Sequence, residues 1–257
     1  MRRLSLTFML LLAACAGNEQ GSAGPASACK AHSFEGSTFT VCDPGRGRLI
    51  LLAAGPGDPP VRSFASVMRK IDAGHVAFGM NGGMFGEDGR PIGLAVVNGK
   101  QVHKINLRDG GGNFHLQPNG VFLVSADGRP AIYASRELPK SVRHRFATQS
   151  GPMLVIHGKL HPKFDDDGSS RLIRNGVGVR HGKALFVISD GPVSFGKFAR
   201  FFRDSLKTPD ALFLDGSVSS LWDPANGRQD AHSDLGPIII ALKPGASAPG
   251  REGRAKP

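Results

Sequence analysis

The chain has 257 residues, 32 Lys and Arg against 21 Asp and Glu, and a formal net charge of +11. That length suffices for one large domain or two small ones with a proper core, and the hydrophobic share of 40% is ordinary for a globular chain. The positive balance permits anionic partners. No zinc module, recognition helix or basic stretch interleaved with aromatics is present, so nucleic acid is not the expected partner.

At the N-terminus, Arg2 and Arg3 precede an apolar run from Leu4 to Leu12. A transmembrane helix needs about 20 apolar residues, so the run reads as a signal peptide. It ends in Leu12-Ala13-Ala14-Cys15, which resembles the bacterial lipobox. The resemblance implies cleavage before Cys15 and lipidation of its thiol, with membrane attachment through that lipid. The expected location is the bacterial cell envelope, facing the periplasm. Ala16 rather than Asp after the cysteine favours the outer membrane. The expected organisation is a signal over 1–14, a flexible Gly/Ala/Ser tether over 15–28, one domain over 29–243 and a disordered tail over 244–257.

The two other cysteines, Cys29 and Cys42, are expected to form a disulfide in an oxidising compartment. Closing so short a loop contributes roughly 3 kcal/mol in the chain-entropy view. Beyond them, short apolar runs recur between glycine-rich turns. They predict strands at Arg48–Ala53, His75–Met80, Ile92–Val97, Gly120–Ser125, Ala131–Ala134, Met153–His157, Ala184–Ser189, Ala211–Leu214 and Pro237–Leu242. Two helices stand out. Phe64, Val67, Met68 and Ile71 share one face behind a capping Ser63; Phe195, Phe198, Ala199, Phe202 and Leu206 form an apolar face opposite Lys197, Arg200, Arg203 and Lys207. The second reads as a surface helix packed on a sheet. Many strands with few, irregularly placed helices predict an α+β fold: a single domain with a mixed β-sheet core and a few flanking helices.

Polar, glycine-rich segments end several of these runs: Asn81-Gly82-Gly83-Met84-Phe85, Gly112-Asn113-Phe114, Pro118-Asn119-Gly120, Gln149-Ser150-Gly151-Pro152, Arg174-Asn175-Gly176-Val177-Gly178 and Leu214-Asp215-Gly216-Ser217-Val218-Ser219-Ser220. Each alone is equally well a hairpin turn. Together, with glycines that let a backbone approach a ligand, they read as a site presented on a sheet. Asp165-Asp166-Asp167-Gly168-Ser169 is a solvated acidic turn that leaves room for a divalent cation but lacks the ligand alternation of a calcium loop. The nine histidines show no metal-ligand spacing, so no metal site and no cofactor is expected. Trp222 is read either as a sugar-stacking ring or as core.

These segments, in this order, resemble the phosphodiester glycosidase family, nearer its bacterial branch, from about Asn81 to about Leu242. The resemblance implies hydrolysis of the bond between a sugar's anomeric carbon and a phosphodiester oxygen, with a phosphorylated glycan or another sugar phosphodiester as partner. Fitted to that chemistry, an oxocarbenium-like transition state calls for a carboxylate: Asp215 first, Asp190 at the end of its strand second. Arg174 offers a fork for phosphate. Asn81, Gly82, Gly83, Asn113, Asn119, Gln149, Ser150, Asn175, Gly216, Ser219 and Ser220 are the expected substrate-binding residues. The alternative reading is a non-catalytic glycan- or phosphate-binding envelope lipoprotein. A further one is a structural envelope protein whose basic helix docks on acidic lipid.

Overall fold

The computed structural model describes residues 26–141 and 143–246; the expected signal, the lipidation site at Cys15, most of the tether and the tail from 247 lie outside them. Three antiparallel sheets make up the fold. The first runs in the order β1 (Cys29–Phe34), β2 (Ser37–Cys42), β13 (Lys183–Ser189), β12 (Asn175–Arg180), β14 (Asp210–Phe213), β10 (Met153–Ile156), β11 (Lys159–Leu160). The second is β16 (Arg228–Gln229), β15 (Leu221–Asp223), β4 (Val76–Asn81), β17 (Ile238–Leu242), β3 (Arg48–Leu52). The third is β6 (Lys100–His103), β5 (Ala95–Val97), β9 (His144–Ser150), β7 (Gly120–Ser125), β8 (Pro130–Ala134). The α+β single-domain expectation holds, with far more sheet than helix. Among the described residues no helix is long and apolar enough to cross a membrane.

The sheets meet at three phenylalanines. Phe186 of the first sheet lies 5.4 Å, centroid to centroid, from Phe78 of the second and 5.5 Å from Phe122 of the third. All three are fully buried, so one aromatic contact closes the core between layers. The expected cystine joins Cys29 to Cys42, which face each other across the open end of the β1–β2 hairpin.

Four hairpins turn on two-residue loops in which both residues have positive φ: Glu35-Gly36, Asn98-Gly99, His157-Gly158 and His181-Gly182. The segments Asn81-Gly82, Asn119-Gly120, Asn175-Gly176 and Asp215-Gly216 have no positive φ at all. The hairpin explanation of those four therefore fails. Asn175-Gly176-Val177-Gly178 is not a ligand loop either, but the interior of β12. Its glycines make a groove for a helix. A Cβ on Gly178 would stand 2.8 Å from Phe202 and from Thr208, and one on Gly176 would stand 2.8 Å from the Leu212 carbonyl and 3.2 Å from Phe198.

That helix is α3, Phe195–Arg200, capped by Ser194 and running into a π-helical turn at Phe201–Ser205. The extra residue in the turn brings Phe201 inward beside Phe198 and Phe202, and Phe201 stacks on Phe39 at 4.1 Å. The basic face is tied down. Arg200 makes a two-pronged ion pair with Glu35, at 2.9 and 2.7 Å, and the Lys197 ammonium donates to the Glu35 carbonyl. The first helix, α1 (Phe64–Met68), is capped by Ser63 as expected; Phe64, Val67 and Ile71 are buried, but Met68 faces solvent. Trp222 is core, packed 6.0 Å from Phe64.

Overpacking the glycine groove is testable. Gly178→Ala is expected to destabilise the fold by about 1–3 kcal/mol, read as a lowered urea midpoint, whereas Gly182→Asn at a hairpin φ of +70° should cost far less.

Candidate active site

Strand ends from two sheets converge on one buried polar cluster. Asn81 closes β4, Asn175 opens β12, and Asp215 is the second residue after β14. The Asn175 side-chain amide donates to the Asn81 carbonyl (3.1 Å) and to its side-chain oxygen (2.9 Å). Asn81 in turn donates to the Asp215 backbone carbonyl at 2.7 Å, and its side-chain oxygen also accepts the Ser220 N–H at 2.9 Å. The Ser219 hydroxyl lies within 3.2 Å of the Asn175 side-chain oxygen and of the Gly216 carbonyl. Both asparagine side chains thus help to fix the turn that carries Asp215.

Asp215 is 8% exposed. Its Oδ1 accepts the Ser217 N–H at 3.2 Å, and Ser217, through its backbone and its hydroxyl, is the carboxylate's hydrogen-bond partner among the described residues. Burial pushes its carboxyl above the usual range, only partly countered by Ser217. Beside the turn opens a cleft of about 320 Å³ whose walls include Gly216, Ser217, Ser219 and His232. The half-exposed apolar side chains of Leu172 and Ile173 stand on its rim. A buried carboxylate with no cationic partner among the described residues, held next to an open cleft, is equipped for acid–base or charge-stabilising work on a bound molecule.

Arg174 is placed differently from the sequence expectation. It is fully buried, its guanidinium 3.6 Å above the Phe195 ring and 5.6 Å from Phe213. Nε donates to the Val193 carbonyl and Nη2 to Ser170, while Nη1 has no partner. With no carboxylate on it, burial lowers its pKa to about 10, so it remains a cation at neutral pH. The charge sits behind the cleft rather than in it.

The other expected residues divide into groups. Asn81, Gly82, Asn175, Asp215, Gly216, Ser219 and Ser220 form one bonded cluster, since the Asp215 N–H donates to the Gly82 carbonyl. Gly83 connects it to the third sheet: its N–H donates to the Thr148 hydroxyl, and a Cβ there would lie 2.2 Å from the Gln149 carbonyl. Gln149 has every side-chain group occupied, by Leu94, Asn106 and Ser135. Ser150 and Asn119 are buried away from the cleft, each with one unpartnered oxygen. Asn113 is exposed on the short helix α2 (Gly112–His115). Asp190 is engaged by Arg228 at 2.9 Å and by Thr40, and shares no hydrogen bond with the Asn81 cluster. Sequence reasoning missed Thr148, Ser189, whose hydroxyl accepts the Arg174 N–H, and His232. Nothing in their local sequence marks them.

The acidic turn is held by arginines: Asp167 pairs with Arg171 at 2.6 Å and Asp166 with Arg200 at 3.7 Å. Among the described residues, no group of three or more His, Cys, Asp or Glu is arranged to hold a metal ion.

A profile of the phosphodiester glycosidase family matches residues 74–232, which contain the whole cluster. The chain belongs to the phosphodiester glycosidase family. A relative of this chain is the uncharacterized protein YigE of Escherichia coli, 39% identical over 150 residues. That match spans 58% of this chain and 59% of YigE. Among solved structures, the fold is shared with the zebrafish N-acetylglucosamine-1-phosphodiester α-N-acetylglucosaminidase catalytic domain, auto-inhibited by its pro-peptide. There the TM-score is 0.56 at 16% identity, covering 84% of this chain and 81% of that one. A hypothetical protein from Synechocystis gives 0.54 at 16% identity, covering 84% and 61%.

If the amide pair holds the site together, Asn175→Ala leaves Ser219 and Asn81 groups unpaired. The expected cost is about 1–3 kcal/mol, measured by denaturant unfolding, together with a loss of ligand binding larger than that of Asn113→Ala.

Proposed function

We propose that this phosphodiester glycosidase family member hydrolyses the bond between a sugar's anomeric carbon and a phosphodiester oxygen, with Asp215 as the reacting carboxylate. The observation that carries the reading is the Asp215 turn: a buried acid held, among the described residues, by Ser217 alone, its turn fixed by two asparagines and its next two residues lining a cleft. In the net reaction the anomeric carbon gains a water oxygen, its bond to the phosphate oxygen breaks, and the electron pair leaves on the phosphate. One water proton passes by way of the carboxylate to solvent. A phosphate leaving group is a weak base, so a strong general acid opposite Asp215 is not required. The Arg174 charge, one residue before Asn175 of the cluster, favours an anionic substrate. The fold of the zebrafish N-acetylglucosamine-1-phosphodiester α-N-acetylglucosaminidase supports the substrate class.

We place the protein in the bacterial envelope, lipid-anchored through Cys15 and facing the periplasm, acting on a phosphorylated glycan or another sugar phosphodiester. The Cys29–Cys42 cystine supports an oxidising compartment. The occupied basic face of α3 speaks against lipid docking by that helix.

Incubating the full chain with a panel of sugar-1-phosphodiesters should release free sugar. Asp215→Asn should lower turnover by about 100-fold or more while retaining ligand; no release from any panel member, with ligand still bound, would favour the non-catalytic binder. The pH dependence has a definite sign. Because burial raises the folded-state pKa of Asp215, the native state holds its proton more tightly than the unfolded chain, and stability falls as pH rises through the window above the ordinary carboxylate value. Asp215→Asn should therefore melt higher than the wild type at neutral pH and lose that advantage in acid. The acid limb of the wild-type activity profile should lie above the ordinary Asp range.

A further inference from the structure

A second cavity, of about 740 Å³, shares no lining residue with the cleft beside Asp215. Its apolar wall is built from Pro91, Ile92, Ile105 and Leu107, and Leu107 is 39% exposed. The polar side chains around it are almost all committed to holding the wall in shape. Arg90 donates to the carbonyls of Gly55 and Asp58 and pairs with Asp88 at 3.5 Å. Asn106 donates to the Ile92 carbonyl at 3.0 Å and accepts the Arg108 N–H at 3.1 Å. Arg136 holds the Leu107 carbonyl and takes up Asp109.

Two cations are left over. Among the described residues, the side chains of Lys104 and Arg108 meet no carboxylate and no hydrogen-bond acceptor, although both line the cavity. Two imidazoles stand with them in a defined orientation. His103 Nδ1 faces the carbonyls of Gly93 (2.9 Å) and Lys104 (3.0 Å), and His115 Nδ1 faces the Arg108 carbonyl (2.8 Å). A carbonyl only accepts, so Nδ1 carries the proton in each ring and Nε2 is left free. A concave, largely apolar wall with a few convergent polar groups is the ordinary form of a small-molecule site. Here the polar groups are two uncompensated positive charges, which match the two charges of a phosphate monoester, and the apolar wall matches an organic body.

We propose that this cavity is a binding site for an organic phosphate monoester: the phosphate lies between Lys104 and Arg108, and the organic group lies against Ile105 and Leu107. The site does not depend on the reaction assigned to Asp215. It adjoins that region mechanically, because Gln149 is bonded to the Asn106 backbone on one side and its carbonyl abuts Gly83 on the other.

The test is ring and methyl NMR of the full chain titrated with phenyl phosphate, inorganic phosphate and phenol. Phenyl phosphate is expected to shift the His103 and His115 ring signals and the Ile105 and Leu107 methyls, more weakly as salt is raised. Lys104→Glu and Arg108→Glu, both exposed and harmless to the fold, should each weaken it about tenfold, and Asp215→Asn should leave it unchanged. Phenol should bind feebly and equally to wild type and variants. Absence of shifts at both histidines with phenyl phosphate would overturn the proposal, as would undiminished binding in the two charge reversals. Inorganic phosphate matching phenyl phosphate in affinity would remove the organic body from the assignment and so overturn it as stated.

Discussion

The Asn81–Asn175 amide pair is the constraint on which the rest of the site depends. Each asparagine terminates a strand of a different sheet, and each is buried where a lone polar group would be costly. Satisfying one amide with the other fixes how the two sheets meet at this edge. The leftover groups, one N–H and the side-chain oxygens, then dictate where the Asp215 and Ser219-Ser220 backbone must run. The aromatic contact of Phe78, Phe122 and Phe186 closes the core, but it is non-directional and would tolerate sliding. The amide pair supplies the direction.

Two charges of opposite sign lie near this pair without meeting. Asp215 follows Phe213 by two residues, and a Cβ on Gly216 would stand 2.3 Å from the Phe213 ring. The same ring lies 5.6 Å from the Arg174 guanidinium. The Phe213 ring thus packs against both the turn that carries Asp215 and the Arg174 guanidinium. The two groups do not pair, and burial moves each from its ordinary value, in the way that functional sites hold ionisable groups off their ordinary behaviour.

Much of this was legible in the sequence, for identifiable reasons. Gly120–Ser125 was read to the residue because a continuous β-branched and aromatic run is bounded by turn residues on both sides. The cluster Asn81, Asn175, Asp215, Ser219 was found through the ordered motifs of the family. The hairpin Cys29–Phe34 with Ser37–Cys42, and the strand His144–Ser150, escaped because polar residues interrupt their hydrophobic pattern. The segment Arg174–Gly178 reads as a loop in sequence because glycine signals equally a turn and a groove, and only the packed Phe198 and Phe202 decide between them. Gln149 looked like a ligand because sequence does not disclose that three backbone groups had already claimed its amide.

The strand Leu221–Asp223 joins two places described separately above. At its far end the Asp223 carboxylate receives the Ser27 hydroxyl, so the N-terminal side of the described chain is fastened there. At its near end are Ser219 and Ser220. Three strand residues span about 10 Å, so the point where Ser27 is fastened stands about that far from the Asp215 turn. The described chain therefore begins beside the strand that leads out of the Asp215 turn, and whatever precedes Ser27 starts its course from that side of the domain.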